Sequence, residues 1–143
     1  IFASGRPSLL LPSGWSGNIG NSIVVGWNGS REATRAIADA MPFLAAARAV
    51  HVVVVPEQKV ARLLSADPGV DITRHLVRYG VPAVLEQIEG PDAGRILLDR
   101  ARDVGADTIV MGAYGQPKIT EFVFGSATRT LLEAIELPVF LSR

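Results

Sequence analysis

The chain has 143 residues, about one domain, and its 48% hydrophobic and 20% charged content suits a globular protein with a buried core. Fourteen basic residues balance fourteen acidic ones, which argues against a nucleic-acid or anionic-membrane footprint, and the absence of cysteine excludes disulfides, thiolate metal sites and thiol chemistry. The apolar runs fall far short of the ~20 residues of a membrane span, and residues 1–20 lack the charged start and apolar middle of a secretory signal, so the expectation is a soluble, cytoplasmic protein.

Residues 1–21 precede the first clear element and are set apart as an N-terminal extension to a domain of residues 22–143. Ser22–Gly26, SIVVG, is a short β-branched strand ended by Asn28-Gly29-Ser30. Ser30 is a good helix N-cap, and Glu32 puts a negative charge in the first turn, where the helix dipole favours it. Ala33, Ile37, Ala40, Met41 and Leu44 recur at helical spacing. Pro42 within them is expected to kink or shorten the helix. The run AVHVVVVP is a second strand stopped by Pro56, and its continuous apolarity implies a sheet covered on both faces. Residues 57–80 carry two helical stretches, KVARLL and DITRHLVRY, parted by the turn signal Asp67-Pro68-Gly69 and closed by Gly80. Val81–Glu89 reads as a third strand, polar enough for a sheet edge. Pro91 and Asp92 open a helix whose apolar face is Ala93, Ile96, Leu97, Ala101 and Val104, with Gly105 closing it. DTIVMG is a fourth strand, SATRTLLEAIE a last helix and LPVFLS a fifth strand. Strands alternating with helices imply an α/β fold, a parallel sheet with right-handed crossovers and helices on both faces. Ligands of such sheets bind beyond the carboxyl ends of the strands, where strand order reverses.

The segment MGAYGQPKITEFVFGS, residues 111–126, follows the fourth strand and leads into the last helix. Amides at a helix N-terminus lack partners within the helix and carry partial positive charge, so such an end suits an anion. Glycine at 112 and 125 lets backbone approach a phosphate closely. Ser126 can cap the helix or donate to a phosphate oxygen, and the Ala127 amide and Thr128 share the first turn. Three or four charge-assisted hydrogen bonds, roughly 1.5–3 kcal/mol each, could hold a di- or triphosphate without a P-loop lysine. The spacing alone is equally that of ordinary strand-end glycines and a serine cap.

Gly112, Gly115, Gly125 and Ser126 match G-x2-G-x9-G-S/T, and in this the chain resembles the universal stress protein family. IVVGWNGSREA is similar to that family's first strand and turn, VGADTIVMGAYG to its approach to the fourth strand, and LPVFLSR to its closing strand. The likeness covers residues 22–143, with 57–80 poorly matched. It implies a Rossmann-like five-stranded parallel sheet in order 3-2-1-4-5, with the switch point between strands one and four. It further implies ATP or AMP as ligand, with Mg2+ as an accompanying ion. The phosphates would contact Gly112, Gly115, Gly125, Ser126 and Ala127, with Thr128 nearby and Met111 leading in. Ribose and adenine would lie against Gly26, Trp27, Asn28 and the end of the second strand near Val54. Two positions depart from the family pattern. Asn28 stands where ATP-binding members usually carry aspartate, and an amide is a poorer metal ligand than a carboxylate. Trp27 is bulky beside the base and would either stack on adenine or occupy its space.

The extension gains meaning from the same likeness. Pro7-Ser8-Leu9-Leu10-Leu11 echoes Pro138-Val139-Phe140-Leu141-Ser142, and some members carry two domains in tandem. Residues 1–21 thus resemble the closing strand and linker of a preceding copy. Family members pair their fifth-strand edge antiparallel in homodimers or tandems, and residues 7–11 are expected to pair that way with 138–142, within the chain or across a two-fold.

No catalytic or metal-ligating set emerges. His51 in a strand and His75 on a helix read as structural, and neither is placed as a base for Ser126. Asp99, Arg100, Arg102 and Asp103 read as a solvated helical face. Phe122, Val123 and Phe124 are expected to pack the loop onto the body. The leading expectation is a nucleotide-binding stress-response domain acting through conformation or association, with at most slow hydrolysis because no general base or arginine finger stands out. The alternatives are a ligand-free interaction module of the same fold and, least favoured, a true hydrolase or transferase.

Overall fold

The computed structural model describes residues 5–56, 69–113 and 126–143. Its strands are β1 (Ser8–Leu10), β2 (Ser22–Trp27), β3 (Ala49–Val54), β4 (Ala83–Gln87), β5 (Thr108–Gly112) and β6 (Val139–Ser142). Its helices are α1 (Arg31–Ala46), α2 (Val70–Arg78), α3 (Ala93–Val104) and α4 (Ser126–Glu133). The strands form one sheet in the order β1-β6-β5-β2-β3-β4. From β2 to β6 all neighbours run parallel, and β1 joins β6 antiparallel. The expected five-stranded order is therefore present as β4-β3-β2-β5-β6, and the count is corrected to six. The added strand pairs Ser8 with Leu141, Leu9 with Phe140 and Leu10 with Val139, within the chain itself. Without β1, β6 would present a row of unpaired backbone groups.

Each strand divides its side chains between two cores by its period of two. Ile23 and Val25 of β2 enter a cluster with Ile37, Ala40, Leu44 and Leu76, under α1 and α2. Val24 enters the other cluster, with Leu97, Leu98, Ala101 and Leu131 under α3 and α4. Helices thus cover both faces, as the uninterrupted valines of β3 require.

The helix ends follow their sequence signals. Ser30 caps α1, its hydroxyl accepting from the Ala33 amide at 3.1 Å, and Asp92 caps α3 by accepting from the Arg95 amide at 3.2 Å. After α2 the Val81 amide donates to the Leu76 carbonyl and the Gly80 amide to that of Val77. This paired closure needs a left-handed residue, and Gly80 supplies it with φ +77°. Gly105 closes α3 in the same way. Pro42 does not shorten α1, which continues to Ala46. Both Pro42 and Ala38, the residue whose carbonyl loses its helical donor there, are exposed, so water can satisfy that carbonyl.

The segment leading into β2 is anchored at its end. The Gly20 amide donates to the Thr108 hydroxyl at 2.8 Å, and the Asn21 amide to the Asp107 carboxylate at 3.1 Å. Among the described residues no helix is long and apolar enough to cross a membrane.

Candidate functional site

An open hollow of about 70 Å³ lies beyond the carboxyl ends of β2, β3 and β5, where the sheet order reverses. Its floor is apolar, made by Val53, Val55, Leu97 and Met111. Its rim takes one residue from the first turn of each of three helices: Ala33 of α1, Ala93 of α3 and Ala127 of α4. Gly26, Trp27, Asn28 and Gly112 complete it. No charged side chain is among these described residues, and the helix ends and backbone dipoles contribute to the field inside.

Glycine is required at two of these positions by packing within the protein. A Cβ on Gly112 would meet the Ala33 nitrogen and the Glu32 carbonyl carbon at 2.5 Å, because α1 starts directly against the end of β5. A Cβ on Gly26 would meet Leu97 Cδ1 at 2.8 Å. Bare backbone here keeps α1 and α3 close to the strand ends and the hollow open. Gly94 does the same between helices, since a Cβ there would run into the Ala127 carbonyl and bring Thr130 Cβ within 2.9 Å. The starts of α3 and α4 are thereby held side by side.

Of the residues singled out in the sequence, Gly26, Trp27, Asn28, Met111, Gly112 and Ala127 line the hollow. Gly115 and Gly125 lie outside the described residues, as do Phe122, Val123 and Phe124. Helix α4 begins at Ser126, so Ser126 occupies the first turn rather than standing before it; Thr128 is buried. Val54 is also buried, but its Cγ2 lies toward Gly69, on the α2 side of the sheet. Its neighbours Val53 and Val55 face the hollow. Four consecutive valines carry no mark of which ones point to which face, whereas the register of β3 against β2 decides it. Trp27 packs against the α1/α2 cluster with its Cδ1 toward Gly69, and the hollow keeps its volume with the indole in place. The Asn28 Oδ1 accepts from the Ser30 amide at 3.0 Å, which leaves the side-chain NH2 as the group Asn28 can offer a ligand. No cluster of histidine, aspartate and glutamate suited to a metal ion occurs among the described residues. Ala33, Ala93 and Leu97 were legible only as helix faces; for Ala33 and Ala93 the signal is a small residue at a helix start.

A second polar constellation sits at the β4 edge. The Arg100 guanidinium grips Glu86 through two hydrogen bonds of 2.7 Å, and His51 Nδ1 lies 3.2 Å from Glu86 Oε1. Arg100, rather than being solvated, is two-thirds covered and ties α3 to β4. Hydrogen bonding from Arg100, with a smaller contribution from His51, holds the Glu86 carboxyl below its ordinary value despite its burial. The His75 ring lies 4.8 Å from that of Tyr79, tilted by 52° to it. Both histidines thus have structural neighbours.

Residues 21–143 match the model of the universal stress protein family. No curated protein sequence matches the chain. Among solved structures, a universal stress protein from Archaeoglobus fulgidus is similar with TM-score 0.67 at 20% identity, covering 87% of this chain and 45% of that one. This chain thus spans under half the length of the Archaeoglobus protein. The universal stress protein UspA from Lactobacillus plantarum gives TM-score 0.69 at 18% identity, over 89% of this chain and all of the other. A universal stress protein in complex with cAMP gives TM-score 0.61 at 21% identity, covering 86% and 97%. These structural likenesses concern the fold.

Proposed function

The chain belongs to the universal stress protein family, and from that premise we propose that it binds an adenine nucleotide, ATP or AMP, in the hollow at the switch point. One observation carries this reading: three helix starts and three strand ends surround a cavity with an apolar floor and, among the described residues, no charged side chain in its lining. An apolar floor suits a base, and helix N-termini suit phosphates. Adenine and ribose would lie over Val53, Val55 and Met111, near Gly26, Trp27 and Asn28. The phosphates would lie at Gly112, Ser126, Ala127 and Thr128, with Gly115 and Gly125 from the connecting segment. That a related protein is a complex with cAMP supports the ligand class. Accompanying Mg2+ would rest on phosphates and water, because the Asn28 Oδ1 is engaged by backbone. The nucleotide acts as a ligand that changes conformation or association in a stress response; no residue near the hollow is assigned a chemical step.

Association would run through the β6 edge, in a homodimer or with a tandem partner. Residues 8–10 already cover that edge, so a second copy pairing on β6 must displace β1.

Ala127→Glu tests the ligand reading. An acidic side chain in a helix first turn suits the dipole and should leave the fold intact, while its carboxylate repels phosphate. Calorimetric titration with ATP should show affinity lowered at least tenfold, with an unchanged melting curve. Wild-type protein that binds no adenine nucleotide, and releases none on denaturation, would leave the family's ligand-free interaction module as the reading.

A further inference from the structure

The geometry points to Thr130 as a positioning residue: its hydrogen bond to Asp92 latches the start of α4 to the start of α3 and so sets where the first turn of α4 stands at the hollow. The inference deepens the nucleotide reading and rests on it. Helices α3 and α4 lie side by side and run the same way. Near their starts Thr130 Oγ1 donates to Asp92 Oδ2 at 3.2 Å. Near their ends Arg102 grips Glu136 through hydrogen bonds of 2.7 and 2.9 Å. Asp92 serves both helices with one carboxylate, because its other oxygen, Oδ1, caps α3 at the Arg95 amide. Asp92 and Thr130 are both half-buried.

The contact around this bond leaves little slack. Ala127 and Thr130, three residues apart, share one face of α4. That face meets α3 at Gly94, where an added Cβ would run into the Ala127 carbonyl and lie 2.9 Å from Thr130 Cβ. Ala127 also lines the hollow, as does Ala93, the residue after Asp92. The latch therefore sits about one helical turn from the rim. Thr128 and Leu131 are buried and hold α4 against the body of the protein, but apolar contact has no preferred direction. A hydrogen bond has one, and this one limits how far α4 slides or turns along α3. Hydrogen bonds from first-turn amides to a phosphate are equally directional, so a small displacement of α4 weakens them. Val53, Val55 and Met111, which form the floor, belong to the ends of β3 and β5 and do not move with α4. The Thr130–Asp92 bond thus bears on the phosphates and leaves the nucleoside end alone.

The test compares the full chain with three variants. Thr130→Val keeps the shape of the side chain and removes the donor, Thr130→Ser keeps the donor, and Glu136→Gln weakens the link at the far end of the same helix pair. Adenosine and ATP are titrated by calorimetry, and melting curves are recorded alongside. The expected result is that Thr130→Val loses about fivefold in affinity for ATP and keeps its affinity for adenosine. Thr130→Ser should regain the wild-type ATP affinity, and Glu136→Gln should leave both ligands unchanged. Unchanged ATP affinity in Thr130→Val overturns the latch and leaves the nucleotide reading standing. So does an equal loss for adenosine and ATP with a lowered melting point, or a loss in Glu136→Gln as large as in Thr130→Val, because either shows a general loosening of the helix pair. A Thr130→Ser protein as weak for ATP as Thr130→Val also overturns the latch. Wild-type protein that takes neither adenosine nor ATP overturns the nucleotide reading and the latch with it.

Discussion

The hollow beside β2 and β5 and the cluster at the β4 edge handle polarity in opposite ways. At the edge, Glu86 is answered by Arg100 and His51, and every strong charge has its counter-charge within the protein. At the hollow backbone amides at helix starts join the Asn28 amide, and the other described lining side chains are small or apolar. A completed ion cluster holds parts of the fold together and has little left to offer a ligand. The helix starts around the hollow, though α3 carries the Asp92 cap and α1 has Glu32 in its first turn, still turn backbone amides toward a space that an anionic ligand can occupy.

The largest expected effect comes from breaking the hollow's scaffold. Gly112→Val drives a branched side chain into the backbone of α1's first turn, which cannot yield as a flexible side chain would. Overpacking of this kind costs about 3 kcal/mol, read as a lowered denaturant midpoint. Binding and stability should fall together, unlike Ala127→Glu, which spares the fold. A stable Gly112→Val protein that still lost nucleotide would mean that Gly112 serves the ligand alone.

The strand order was legible because apolar runs and helical periods alternate cleanly, and because the glycine segment matched a known pattern. Residues 7–11 were expected to pair antiparallel with residues 138–142 because the last strand leaves an edge that family members pair in this way, and the pairing is found over residues 8–10. Two features were not legible. The facing of the β3 valines depends on register, which a uniform run does not encode. The Glu86–Arg100 pair joins residues fourteen apart on different elements, and the Glu86–His51 contact spans thirty-five. Each charge taken singly looks like a solvated surface residue. Pro42 misled because a proline is judged by its local rule, while its exposed position removes much of the cost.

A smaller effect is expected at the other pole. Glu86→Gln replaces the carboxylate and leaves Arg100 with a neutral partner, at a cost of about 1 kcal/mol once solvent screening is allowed for. The pH dependence carries the sign. The folded-state value of Glu86 lies below its ordinary 4.5, so its stabilisation is present above that value and is lost as pH falls through the lower, folded one. Wild-type stability should therefore drop more steeply than that of Glu86→Gln below about pH 4.5. Parallel curves would show that the cluster adds no net stability.

The smallest effect, and the sharpest probe of the contrast, comes from placing a charge where the hollow has none. Asn28→Asp keeps an acceptor for the Ser30 amide, now as a carboxylate close to the start of α1. Interaction with the helix end should raise stability by about 0.3–1 kcal/mol, measured by denaturation at low salt. Ligand binding should respond in two directions. Without divalent cation the new charge repels phosphate and weakens ATP; with Mg2+ the carboxylate becomes a metal ligand and the loss is recovered. Wild-type affinity, with the Asn28 oxygen engaged by backbone, should change less between EDTA and Mg2+ than that of the variant. If both proteins respond equally to Mg2+, residue 28 does not face the phosphates, and the ligand sits deeper over the apolar floor than the ring of helix starts implies.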